Sequence, residues 1–113
     1  MSGFQGFDLK SVRARLAAPG VGYTEIVRRP DLSIGLYVLA PGGIDHQSPH
    51  YEDEAYVVMS GRARFTAGDE ECVVGAGDTL FVPARLPHHF HDVEQELVLL
   101  VFFGPAEDSR KPR

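Results

Sequence analysis

The 113-residue sequence predicts an all-β fold, an antiparallel sandwich or barrel preceded by one short helix. Three observations carry this expectation. Short runs rich in Val, Leu, Phe and Tyr alternate with period two. Gly and Pro clusters separate those runs at near-regular spacing. Helical spacing of apolar residues occurs near the N-terminus and then stops.

The helix is expected in DLKSVRARLAA, Asp8 to Ala18. Asp8 is the cap, and Leu9, Val12 and Leu16 fall on one face. Pro19-Gly20 ends it, because proline cannot continue a helix and glycine frees the backbone. Such a helix covers a sheet edge or a partner subunit. The strands then read Thr24–Arg29, Ser33–Leu39, Glu54–Ser60, Ala63–Ala67, Glu71–Val74, Thr79–Val82, His88–Val93 and Leu97–Phe103. The breaks between them are Arg29-Pro30-Asp31, Pro41-Gly42-Gly43, Ser60-Gly61, Gly68-Asp69, Gly75-Ala76-Gly77 and Pro83 with Pro87. The organisation is a helical segment over 1–20, a barrel over 21–105 and a polar tail over 106–113.

Two strands say what surrounds them. In EAYVVMS, Glu54, Tyr56 and Val58 share one face, and Ala55, Val57 and Met59 share the other. Neither face of LVLLVFF, Leu97 to Phe103, is polar. A strand apolar on both sides is covered on both sides. One cover is the barrel interior; the helix, a second sheet or another subunit supplies the other. A homodimer is expected.

Composition excludes more than it identifies. A net charge of -5 and a pI near 5.4 argue against a nucleic-acid backbone or an anionic membrane as partner. The single cysteine, Cys72, forbids an internal disulfide and suits a reducing compartment. MSGFQGFDLK lacks a basic stretch followed by an apolar core, and LVLLVFF falls short of the ~18–20 residues that span a bilayer. The expected setting is cytoplasmic. The sequence carries no Walker loop, nucleophile elbow or dinucleotide fingerprint.

The chemistry concentrates in two segments. In the first, His50 precedes Glu54 by four positions, and Gly61 follows seven later. In the second, GDTLFVPARLPHHFHD, Gly77 leads to Pro83, His88 and Asp92. Glu54 opens an apolar strand and so points inward, where a carboxylate needs a partner. Two imidazoles and a carboxylate converging in an apolar barrel would make a three-ligand site with open positions, suited to zinc, iron, manganese, nickel or cobalt.

These residues resemble the cupin family, and in particular its small single-domain bacterial members. The first cupin motif is a glycine, five residues, His-x-His, three or four residues, Glu, six residues and Gly; Gly42, His50, Glu54 and Gly61 match it. The second is Gly, five residues, Pro-x-Gly, two residues, His, three residues and Asn; Gly77, Pro83 and His88 match it. Ser48 stands at the first histidine position, Arg85 at the glycine after the proline, and Asp92 at the asparagine. The stretch D-x-Q-S-P-H-x-E-D-E resembles a group of small bacterial cupins in which that serine is usual.

The resemblance implies a double-stranded β-helix, the jelly-roll barrel. It also implies one divalent transition metal held by His50, Glu54 and His88. The fourth ligand is either His46, which strand parity favours, or Gln47, favoured if Pro49 breaks that parity. Glu54 is also the candidate base. Tyr56 shares its parity and, with Phe90, is a candidate neighbour of the ligands. Tyr37, Tyr56, Phe81 and Phe90 are read chiefly as core, and Glu52 with Asp53 as the turn before the strand. His89 and His91 are sent to the outer face, and Arg62 and Arg64 to an exterior charged stripe.

Two functions then compete. One is a metal-dependent enzyme acting on a small organic molecule with oxygen donors, such as an enol or a hydroxy acid, by dioxygenase-, isomerase- or lyase-like chemistry. The other is a non-catalytic small-ligand-binding or structural module.

Overall fold

The computed structural model describes residues 2–112, so the outermost residues of the two expected end segments, 1 and 113, lie outside the described residues. Helix α1 spans Leu9–Arg13. Asp8 caps it as expected: its carboxylate accepts from the Ser11 backbone N–H at 2.8 Å and from the Ser11 hydroxyl at 2.7 Å. The helix is shorter than the spacing suggests. Val12 is buried and Leu16 partly so, but Leu9 is exposed. Too little apolar surface holds the second half against fraying into turns.

Six strands follow: β1 (Gly22–Arg29), β2 (Leu32–Leu39), β3 (Asp53–Ala67), β4 (Glu70–Gly75), β5 (Thr79–Val82) and β6 (His88–Gly104). They pair antiparallel in the order β1-β2-β6-β3-β4, with β5 on β3. Two pairs of expected strands are each one long strand. β3 runs through Ser60-Gly61, and β6 runs through the Glu94–Glu96 stretch. The β3–β6 register shifts between Val58 and Arg64, so both strands bend there and serve two faces of the barrel.

Gly61 makes that bend. Its φ is +99°, and a Cβ there would stand 2.2 Å from the Glu96 carbonyl oxygen. A turn-forming glycine in a sequence thus became a bulge within a strand, because β6 runs alongside. Two departures from the cupin pattern also meet the backbone here. Arg85 (φ 70°) and Asp92 (φ 49°) both lie in the left-handed region. The aspartate tolerates this as an asparagine would; the arginine bears a steric cost that glycine would not.

The alternation in β3 is as read: Glu54, Tyr56 and Val58 point inward and Met59 outward. On β6, Leu97, Leu99, Val101 and Phe103 join the interior with Tyr56, Phe65 and Phe90. Val98 packs instead with Val12, Leu36 and Val38, bordered by Leu16, Ile26 and Leu100. The second face of the apolar strand is therefore covered in part by α1. Beside it, Phe7, Leu9, Met59 and Phe102 line an open apolar groove. Phe81 departs from expectation: it is 67% exposed, because Leu80 and Val82 take the inward positions of β5.

The segment after β6 is tied down. Ala106 is buried, and Glu107 N–H donates to the Ser33 hydroxyl at 2.9 Å. Asp108 and Arg110 N–H groups donate to the two oxygens of Glu52 at 2.8 and 3.0 Å. Glu52 is thus not a solvated loop charge but 1% exposed, held by residues more than fifty positions away. No helix is long and apolar enough to cross a membrane among the described residues.

Candidate metal and ligand pocket

Glu54 and His88 meet across the barrel interior, although the ladder pairs Glu54 with Phe103 and His88 with Ala67. Glu54 enters at the start of β3 and His88 at the start of β6, and both are buried. His88 Nε2 lies 2.8 Å from Glu54 Oε1 and 3.1 Å from Tyr56 Oη. The ring is oriented from behind, with Nδ1 2.7 Å from the Leu86 carbonyl, an acceptor, so Nδ1 carries a hydrogen. In a neutral ring Nε2 then holds the lone pair. It faces a carboxylate and a phenol whose hydrogen goes to Gln47 Oε1 at 2.9 Å.

Glu54 Oε1 lies close to Nε2, which also stands 3.1 Å from Tyr56 Oη. It is the one buried side-chain polar atom without a hydrogen-bond partner among the described residues. Lone pairs pressed together in an apolar wall are unfavourable unless a positive charge lies between them. Either a proton on Nε2 or a metal cation supplies it. Imidazole nitrogen and carboxylate oxygen are the donors a borderline divalent metal takes, and a carbonyl on the far ring nitrogen is the usual support of a metal-bound histidine. The donor chemistry of His88 and Glu54 suits such a metal.

Behind Tyr56 lies a polar chain. Gln47 accepts from Tyr56 and gives its amide to Asp45 Oδ2 at 2.6 Å. Asp45 also accepts from Tyr37 Oη at 2.6 Å and from the Phe90 N–H at 2.9 Å. Sequence reading missed Asp45: in a Gly- and Pro-rich loop an aspartate looks like turn chemistry, and two of its partners lie on other elements. Both ends of Gln47 are committed to this chain. His46 is exposed, at the rim of the cavity. His50 packs edge-on against Phe103, with ring centroids 4.7 Å apart, and its ring centroid is 6.2 Å from that of His88. Phe90 lies behind Tyr56, 4.9 Å between centroids, and braces it.

A group with ligand atoms within 4.8 Å of one another forms from His50, Glu52 and Asp108 rather than from His50, Glu54 and His88. Glu52 already accepts two backbone N–H groups, so that cluster reads as the tail's anchorage. His89 and His91 point outward as expected; His91 Nε2 lies 2.7 Å from the Thr66 hydroxyl and its Nδ1 2.8 Å from Asp92. Arg62 and Arg64 form exposed pairs with Glu94 and Glu71.

The cavity in front of Glu54 has a volume of about 470 Å³, within the range of small-molecule sites. Tyr37, Leu39, Ile44, His50, Val101 and Phe103 are among its walls. Its field is negative. Burial, then the charges of Asp108, Glu25, Glu54 and Glu52, push Glu107 up to about 7. Burial and then the Glu54 charge push the Tyr56 phenol upward, and burial and then Asp45 do the same for Tyr37, so both stay neutral donors. Burial pulls His88 down, but the Glu54 contact, the Leu86 carbonyl and the Glu54 and Asp45 charges outweigh it and hold the ring above its ordinary 6.5.

Residues 35–103, from the middle of β2 through the pocket loop and nearly all of β6, match the family model of the cupin domain. The chain is a cupin. An uncharacterised Streptomyces coelicolor protein, SCO3923, is 41% identical over 103 residues, covering 91% of this cupin and 98% of that protein. Among solved structures, TT1209 from Thermus thermophilus superposes with a TM-score of 0.72 at 26% identity, over 91% of this chain and 99% of that one. The DMSP lyase DddQ from Ruegeria pomeroyi superposes with a TM-score of 0.71 over 88% of this cupin and 54% of the lyase; at 19% identity that likeness shows the fold alone. The double-stranded β-helix expected from the motifs is the fold of this chain.

Proposed function

We propose that this cupin binds one divalent transition metal through His88, Glu54 and His50, with His46 as the fourth donor, and presents it to a small organic molecule with an oxygen donor. The observation that carries the reading is the buried, unpartnered Glu54 Oε1 at 2.8 Å from His88 Nε2. His46 is preferred over Gln47 because Gln47 is spent on Tyr56 and Asp45. The metal, when bound, would supply Lewis acidity or dioxygen activation. The protein's own part is to orient His88 from Leu86, to hold the neutral Tyr56 hydroxyl against His88, and to line the cavity with apolar and aromatic walls. Glu54 is also the candidate base for a bound enol, a role that needs a carboxylate oxygen not holding the metal. Enzyme-like neighbours such as the DMSP lyase DddQ support catalysis only by fold. We also read the chain as a homodimer closing the groove beside α1, in a cytoplasmic setting that suits the exposed thiol of Cys72.

Elemental analysis of tag-free protein, wild type beside His88→Ala, tests the metal. About one transition metal per chain, lost in the variant, is the expected result. No metal in either after loading overturns it and leaves a second reading, a metal-free binding module. One observation favours that alternative: the ligand atoms of His50, Glu54 and His88 do not gather within 4.8 Å of one another.

A further inference from the structure

We propose that the cavity admits uncharged, mainly apolar molecules with one polar end and discriminates against carboxylates and phosphates. The inference rests on the pocket reading above and narrows its substrate class toward the enol type rather than the hydroxy acid.

The walls supply the argument. No lysine or arginine lines the cavity among the described residues. A buried carboxylate or phosphate guest needs a fixed cation or several N–H donors to replace its water. The charged groups at this pocket's polar end are instead Glu54, unpartnered and buried, and Asp45, which stands one residue behind the wall and accepts from Tyr37, Gln47 and Phe90. Acceptance from three donors is the pattern of an ionised carboxylate. Arg28, the cation nearest in effect to Tyr23, is engaged with Glu25 and the Glu107 carbonyl. His50 already faces Glu107 at 3.9 Å, with Glu52 and Asp108 close by. The remaining wall, from Val21 and Leu39 to Ile44, Val101 and Phe103, rewards apolar surface.

The test uses three guests of one shape, benzyl alcohol, benzoate and benzylamine, titrated at pH 8 into metal-free and zinc-loaded protein. Methyl NMR shifts of Ile44, Leu39 and Val101 report the cavity. Benzyl alcohol is expected to bind at least ten-fold more tightly than benzoate in metal-free protein, with the zinc-loaded form reporting coordination to the ion separately. Glu54→Gln, which removes a charge and almost no volume, is expected to narrow that gap to about three-fold. Benzoate equal to or tighter than the alcohol in metal-free protein overturns the inference, as does benzylamine ten-fold tighter than the alcohol or no guest moving these methyls. Metal content is measured separately. Metal without alcohol preference sinks this inference alone, and alcohol preference without metal sinks the metal reading alone.

Discussion

Glu107 makes the opposite demand on pH from that of an ordinary paired carboxylate. It is held near 7, above its usual 4.5, so the folded state binds its proton more tightly than the unfolded chain does. Its contribution is therefore fully favourable below about 4.5 and is lost as pH rises through about 7. The group is only half-buried, so solvent screening trims the effect. Stability of the metal-free protein is expected to fall by ~2 kcal/mol across that window, and Glu107→Gln to flatten the fall in urea titrations at pH 5 and pH 8. His88, raised above 6.5 on balance against burial, adds to the slope in the same sense: its stabilisation is complete below 6.5 and lost as pH rises through the higher folded value. Arg85 offers a different residue-scale check. Arg85→Gly would relieve a left-handed backbone by ~1 kcal/mol but lose a guanidinium stacked 5.6 Å over Tyr51. The net change is expected to stay within ~0.5 kcal/mol, whereas Arg85→Ala keeps the strain, loses the stacking and should cost ~1 kcal/mol by thermal melts. At this scale the sequence was legible where a motif repeats: Glu54, His88 and Tyr56 meet as their parity and spacing say. Asp45 and Glu52 were not legible, because the donors that make them buried acceptors lie on Tyr37 and Phe90 in one case and near the C-terminus in the other.

The long strands show what a local reading can and cannot reach. Alternation in β3 and the two-sided apolar run in β6 were plain from side-chain order, since period two needs no partner to be seen. Their continuity was not, because Ser60-Gly61 looks the same in a turn and in a bulge. What distinguishes them is the Glu96 carbonyl lying against Gly61, a contact across the sheet. Gly61→Ala is accordingly expected to cost ~3 kcal/mol or more, since both the φ of +99° and the carbonyl oppose a Cβ; chemical denaturation measures it. Gly20→Ala, with a comparable φ of +86° but nothing within 4 Å, isolates the backbone part and should cost ~1 kcal/mol. Helix α1 lies at the other extreme: its cap was readable and its length was not, because five residues are held by one buried side chain.

Across the whole molecule, one strand separates two cores. β6 sends Leu97, Leu99, Val101 and Phe103 into the barrel core, the last two reaching the pocket wall, and Val98 toward α1. The groove that α1 leaves open, with Met59 42% exposed, is where self-association is expected. Sedimentation of the wild type should show a dimer and of Met59→Glu a monomer; an identical monomeric profile for both would remove the dimer from the reading. The barrel's lower rim has a separate dependence. Glu52 lies two residues from Glu54 and is held by the backbone of Asp108 and Arg110. The last few residues are thus a latch on the pocket rather than trailing chain. A version shortened after Pro105 would strand a buried carboxylate beside the ligand-bearing strand, and an affinity handle belongs at the other end, where residues 2–7 are exposed to solvent.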